Sequence, residues 1–157
     1  MKTVYIETTI PSYYFETRTA EYAQAWRGLT RKWWDEYRSR YQLVTSSLVL
    51  LELAEAPAER RRQALALLQD VPVLPRTPEV LSITKHYIAS KVMPGSALGD
   101  AGHLAVASFH GIDFLLTWNC VHLANANKSR HIQVENNRLG LSVPILTTPA
   151  LLVPEDS

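Results

Sequence analysis

The sequence predicts an α/β domain, a short parallel β-sheet covered by helices on both faces, spanning residues 1–157 as one unit. Short apolar or β-prone runs alternate with segments of helical period along the whole chain, the pattern of a parallel sheet wrapped by helices. The length of 157 residues suits one hydrophobic core and is short for two. No internal repeat, low-complexity tract or interdomain linker interrupts it.

Val4-Tyr5-Ile6 is the first strand, buried and central, and delivers Glu7 to its carboxyl end; Pro11 and Ser12 mark a turn or helix start. From Ala20 to Tyr41, Tyr22, Trp26, Leu29, Trp33 and Tyr37 recur at intervals of three and four, predicting one long amphipathic helix. Gln42 to Thr45 is a second strand, after which Ser46 and Ser47 cap a helix carrying Leu50, Leu51, Glu52, Leu53 and Ala54, ended or bent by Pro57. Glu59 to Gln69 resumes as a helix with Arg60, Arg61 and Arg62 outward and Leu65 and Leu68 inward. Val71 to Leu74 is extended, and Pro78 to Lys91 is helical.

The loop Met93-Pro94-Gly95-Ser96 leads into a helix from about Ala97 to His110, whose Ala101, Gly102, Ala105, Ala107 and Ser108 allow close packing on a sheet. Gly111 ends it. Phe114 to Thr117 is a buried strand, Asn119 opens the next loop or helix, and Gly140 closes a helix over roughly Ala126 to Leu139. Pro144 to Thr147 is the last strand.

Composition narrows the class. Apolar residues make up 46% and charged residues 20%, which is globular usage, and no apolar run approaches the roughly 20 residues of a membrane span. The chain enters a strand at once after Met1-Lys2-Thr3, without the apolar stretch and small-residue cleavage site of a secretory signal. With Cys120 as the only cysteine there is no internal disulfide, so a cytoplasmic location is expected. The net charge of +1 does not announce a nucleic-acid binder, so any such role rests on local patches. No glycine-rich phosphate loop follows any strand, which argues against nucleotide-dependent chemistry.

The chemistry-bearing residues are acids at element boundaries. Glu7, Glu52 and Asp100 are hard oxygen donors of the kind that Mg²⁺ or Mn²⁺ prefers. Such an ion polarises a phosphate oxygen and lowers the pKa of a bound water. Glu7 and the Thr117-Trp118-Asn119 segment both fall outside strand carboxyl ends, where open parallel sheets bind ligands. Glu55 competes with Glu52 on almost the same helix face, with Glu52 closer to the apolar run Leu48 to Leu51. Asp100 also complements the dipole of the helix it opens. His103, three residues on, either orients a carboxylate, contacts a phosphate, or simply packs. Thr9 and Thr117 offer hydroxyls to a carboxylate or a metal water, and His122 and Asn125 follow Asn119 at helical spacing.

These parts together resemble a PIN-domain protein of the VapC-like type, the toxin half of a type II toxin–antitoxin pair, over nearly the whole chain. The resemblance rests on Glu7-Thr8-Thr9 at the end of the first strand, Ser46-Ser47-Leu48 to Glu52 in a Ser-led helix, Asp100 to Ala107, and Thr117-Trp118-Asn119. Two positions depart from the family pattern: Glu7 stands where Asp is usual, and Asn119 replaces a fourth acid, removing one negative charge. The resemblance implies a single α/β/α domain acting as a metal-dependent endoribonuclease on RNA, with an antitoxin partner and a homodimeric state. Its site would be Glu7, Glu52, Asp100 and Asn119, the first three holding Mg²⁺ or Mn²⁺, and activated water would attack. Asn119 also raises an alternative: a PIN-like RNA- or protein-binding module without turnover. Arg27, Arg31, Lys32, Arg38, Arg40 and Arg60 to Arg62 either steer a phosphate backbone or form solvated helix faces, and Trp33, Trp34 and Tyr41 either stack bases or pack in a core or interface.

Overall fold

In the computed structural model, which describes residues 1–155, strands and helices alternate as the sequence predicts. In chain order they are β1 (Thr3–Ile6), α1 (Thr9–Tyr14), α2 (Glu21–Lys32), β2 (Gln42–Ser46), α3 (Ser47–Leu53), α4 (Ala58–Leu67), β3 (Val73–Leu74), α5 (Pro78–Ala89), α6 (Leu98–Phe109), β4 (Phe114–Leu116), α7 (Ser129–Arg138) and β5 (Ile145–Thr147). The strands form one five-stranded sheet in the order β3-β2-β1-β4-β5, with every pairing parallel. From β1 the chain winds outward through β2 to β3, then crosses back to β4 on the other side of β1. Around the sheet, α1 packs against α2 and α4, α5 packs against α6, and α3 touches both α4 and α6. The direction reverses between β1 and β4, which opens a crevice at their carboxyl ends.

The register fixes what lies in that crevice. Ile6 pairs with Leu116, and the next amide, Glu7 N–H, donates to the Leu116 carbonyl at 3.2 Å. Val4, Tyr5, Ile6, Leu115 and Leu116 are all fully buried, so the two central strands are anchored by core on both faces. Residues 7 and 117 emerge side by side as the ladder ends.

Local chemistry sets the element boundaries. Ser46 caps α3 by accepting from Val49 N–H at 3.4 Å, and Thr77 caps α5 at 3.2 Å with Pro78 at the first helical position. Gly111 and Gly140 have φ of +65° and +70°, a backbone region that costs an L-residue with a Cβ. Each follows its helix in the same closure: Ile112 N–H reaches Ala107 O at 3.0 Å after α6, and Leu141 N–H reaches Asn136 O at 2.8 Å after α7. A buried network of Tyr87, Ser108 and Asn136 ties α5, α6 and α7 together, with Tyr87 Oη donating to Asn136 Oδ1 at 2.5 Å and Asn136 Nδ2 to Ser142 O at 2.9 Å.

Three expectations need correction. The segment from Ala20 to Tyr41 is α-helical only to Lys32 and continues as a π turn over Trp33–Tyr37 and a 3₁₀ turn over Arg38–Arg40. A π turn inserts extra residues per turn and rotates the buried face, so Trp33 and Trp34 are both buried. The inner face of α2 is Ala23 and Thr30, while Tyr22 and Leu29 are exposed. Trp118 explains the choice: its indole stacks on Trp26 with centroids 4.6 Å apart, and its N–H donates to Thr30 Oγ1 at 2.8 Å. In α4 Leu65 points outward; Ala64 and Leu68 face the core, where α4 packs against α1 and α3. The third strand is also shorter than the Val71 to Leu74 run, at two residues. Among the described residues, no helix is long and apolar enough to cross a membrane.

Candidate metal centre

Glu7 is buried, and its carboxylate is held by the residues that follow both central strands. Oε1 accepts from Thr9 N–H at 3.1 Å, Thr9 Oγ1 at 2.5 Å and Thr117 Oγ1 at 2.6 Å. Both threonine hydroxyls are themselves oriented: Thr9 Oγ1 accepts from Trp118 N–H at 2.8 Å, and Thr117 Oγ1 from Asn119 N–H at 2.9 Å. The carboxylate is thus locked from two sides, leaving Oε2 turned towards His103 Nε2, 3.9 Å away.

Glu52 comes from the last turn of α3. Its Oε1 accepts from Thr8 Oγ1 and lies 2.6 Å from His103 Nε2. Its side chain is 34% exposed, so the centre opens to solvent on this side. Successive threonines of one turn therefore hold different carboxylates, Thr8 that of Glu52 and Thr9 that of Glu7. Glu7, Glu52 and His103 each present a ligand atom, and these atoms lie within 4.8 Å of one another.

His103 is fully buried on α6, facing the sheet. Its Nδ1 lies 2.7 Å from Tyr5 Oη, which lies 2.6 Å from Ser46 Oγ, so a buried chain runs Ser46–Tyr5–His103–Glu52. Burial disfavours the imidazolium, but the hydrogen bond to Glu52 and the charges of Glu7, Glu52 and Asp100 outweigh it and raise the pKa of His103. Burial alone would push Glu52 up; the bond and charge of His103, with the Thr8 hydroxyl, hold it below the usual carboxylate value. Burial raises the Tyr5 phenol far out of the accessible range, so it stays protonated.

A group whose pKa is raised by folding keeps a proton that the unfolded chain would release. Its stabilising contribution is complete below the ordinary imidazole value of 6.5 and is lost as pH climbs through the elevated one. Thermal melts in EDTA from about pH 6 to 9 should show falling stability, and His103→Gln should flatten that slope.

The remaining candidates surround this cluster. Asp100 is half-buried in the first turn of α6; its charge acts on His103 and on Lys128, but its carboxylate lies outside the close group of ligand atoms. Asn119 Oδ1 accepts from Val121 N–H at 3.2 Å and His122 N–H at 3.0 Å, so it caps the turn that follows β4. Asn125 likewise caps the 3₁₀ turn Ala126–Lys128. His122 Nδ1 lies 3.4 Å from Lys128 Nζ, which donates to Val92 O at 3.1 Å beside a cavity of about 620 Å³. Glu55 is exposed and takes no part. Of the basic side chains, Arg31 is bound to Tyr14 O at 2.7 Å and Arg38 lies over the Trp34 ring at 4.4 Å.

Tyr5, Thr8 and Ser46 are members of the site that sequence reasoning passed over. Tyr5 had a legible signal, since it lies two residues before Glu7 and strand side chains two apart share a face. Gly99 is a further determinant: a Cβ there would sit 2.7 Å from Glu52 Oε2. That oxygen ends a flexible, part-exposed side chain, so Gly99→Ala should leave the melting temperature unchanged or slightly raised while lowering ion affinity on the order of tenfold. Parallel thermal melts and Mn²⁺ titrations check both halves.

Three solved structures with this architecture come from toxin–antitoxin systems. A toxin–antitoxin complex from Klebsiella pneumoniae superposes with a TM-score of 0.57 at 16% identity, covering 80% of this chain and 93% of the other. VapC20 of Mycobacterium tuberculosis, described as a sarcin–ricin loop cleaving toxin, gives 0.55 at 16% identity over 76% of this chain and 92% of its own. VapBC2 from Rickettsia felis, bound to a DNA fragment from its promoter, gives 0.53 at 13% identity over 93% and 98%. The fold is therefore the PIN-domain fold of VapC-like toxins, as the motifs implied. No family model matches the chain, and no curated protein matches it by sequence.

Proposed function

We propose that this chain is a divalent-metal-dependent endoribonuclease, the toxin of a type II toxin–antitoxin pair. The observation that carries the reading is the convergence of Glu7 and Glu52 with a buried imidazole at the carboxyl ends of β1 and β4. Glu7 Oε2 and the exposed side of Glu52 are the donors that would hold Mg²⁺ or Mn²⁺, with Asp100 and Asn119 in outer positions acting through water. Held there, a divalent ion supplies Lewis-acid polarisation of a phosphate oxygen and a water of lowered pKa.

The protein's own contribution is to fix the donors and leave water as the attacking group. Ser46 Oγ is buried and bonded to Tyr5, and burial raises the Cys120 thiol, so neither is an activated nucleophile. Lys128, close enough for the charge of Asp100 to act on it, is a natural contact for a substrate phosphate. RNA as substrate, an antitoxin partner, a homodimer and a cytoplasmic setting follow from the likeness to toxin–antitoxin proteins and belong to this proposal.

End-labelled total RNA, including tRNA, incubated with purified protein in Mg²⁺, Mn²⁺ or EDTA tests the reading. Cutting that needs metal and disappears in the Glu7→Gln/Asp100→Asn double variant supports it. Asn119 favours a second reading, a binding module without turnover, because its amide oxygen is engaged in a backbone turn where an acid would carry charge. RNA binding by folded protein with no cutting in either metal selects that one.

A further inference from the structure

We infer that His103 Nε2 is itself a metal ligand, making the centre a two-carboxylate, one-imidazole set suited to Mn²⁺ or a later transition metal over Mg²⁺. This rests on the metal-dependent reading above and names the third donor. Among the described residues the close group holds two carboxylates, and its third ligand atom within 4.8 Å is the imidazole nitrogen. Bonds of about 2.1 Å put adjacent ligands of one octahedral ion about 3 Å apart and opposite ligands about 4.2 Å apart. Nε2 lies 2.6 Å from Glu52 Oε1 and 3.9 Å from Glu7 Oε2, so a small opening of the first pair fits both.

The surroundings of the ring favour ligation over simple packing. A ligating histidine gives its other N–H to an acceptor that fixes its orientation. Here Tyr5 Oη, 2.7 Å from Nδ1, is placed to be that acceptor, and it lies 2.6 Å from Ser46 Oγ. Tyr5 is fully buried and stays protonated, so it has one hydrogen to pass on. Exchange of the Nε2 proton for an ion, with Nδ1–H donating to Tyr5, would leave the Nε2 lone pair directed at the space between Glu7 and Glu52. His103 is fully buried, so the ring cannot turn away to solvent.

Pulsed EPR of Mn²⁺ bound to the full chain decides the point, with Mg²⁺ competition alongside. The expected result is a directly coordinated ¹⁴N coupling that shifts to ¹⁵N in ¹⁵N-histidine protein, and at least about tenfold tighter binding of Mn²⁺ than of Mg²⁺. His103→Gln should remove the coupling and bring the two affinities towards parity. Should that variant not fold, replacing His86, His110, His122 and His131 in turn must each leave the coupling intact. Mn²⁺ bound without nitrogen coupling, or a coupling lost with one of those four, overturns the inference and leaves the metal reading standing. Folded protein that binds neither ion overturns both.

Discussion

Glu7→Gln is expected to cut metal-dependent RNA cleavage by about 10²–10³-fold or more while leaving the fold intact. The substitution separates the two jobs of the side chain. Oε1 is a structural acceptor for Thr9 N–H and the Thr9 and Thr117 hydroxyls, and an amide oxygen accepts the same three bonds. The new NH₂ then takes the place of Oε2, facing His103 Nε2 and presenting hydrogens where an ion needs a lone pair. Loss of charge-assisted strength in three bonds should cost only about 1–2 kcal/mol of stability. Single-turnover cleavage, calorimetric Mn²⁺ titration and a thermal melt on the same preparation separate these effects. Unchanged cleavage by the folded variant would remove Glu7 from the chemistry.

Gly102→Val should damage fold and site together, for a reason visible in the packing of α6 on α3. A Cβ at residue 102 would lie 2.7 Å from Leu48 Cδ2, and Leu48 is buried, so the clash has no solvent side into which to relax. Overpacking of this kind costs about 1–3 kcal/mol, more than the few tenths by which Val exceeds Gly in helix propensity. The same strain separates the helix that carries Glu52 from the helix that carries His103, whose bond is 2.6 Å. Urea unfolding should show a lower midpoint with an unchanged slope, and ion affinity should drop beyond what Gly99→Ala produces. Full stability in this variant would mean that α3 and α6 are not in the close contact described.

The parts of this fold legible in the sequence were those set by local chemistry. Short apolar runs ending in Glu7 and Thr117, the serine cap at Ser46, and the helix-ending Gly111 and Gly140 each declare themselves within a few residues. What escaped depended on distant partners. The buried face of α2 was misread because Trp118, far along the chain, selects Trp26 and Thr30, and because a π turn shifts the period near Trp33. Leu65 and Ala64 exchanged roles because close helix packing favours the smaller residue. In the site, His103 stayed open between several roles, since the residues that decide among them, Tyr5, Ser46 and Glu52, lie 98 and 51 positions away or bond through one another. Thr9 stood out in the sequence as a hydroxyl for a carboxylate and Thr8 did not; the fold gives each a carboxylate of its own.

That last assignment has a mechanical meaning. Glu7 follows a strand end and Glu52 sits on a helix, so the two carboxylates belong to different elements. Their hydroxyl tethers belong to consecutive residues, whose Cα atoms are about 3.8 Å apart across a planar peptide. The spacing of the two carboxylates is thereby referred to a single covalent unit, the stiffest ruler a polypeptide has, and it need not follow small movements of α3 against the sheet.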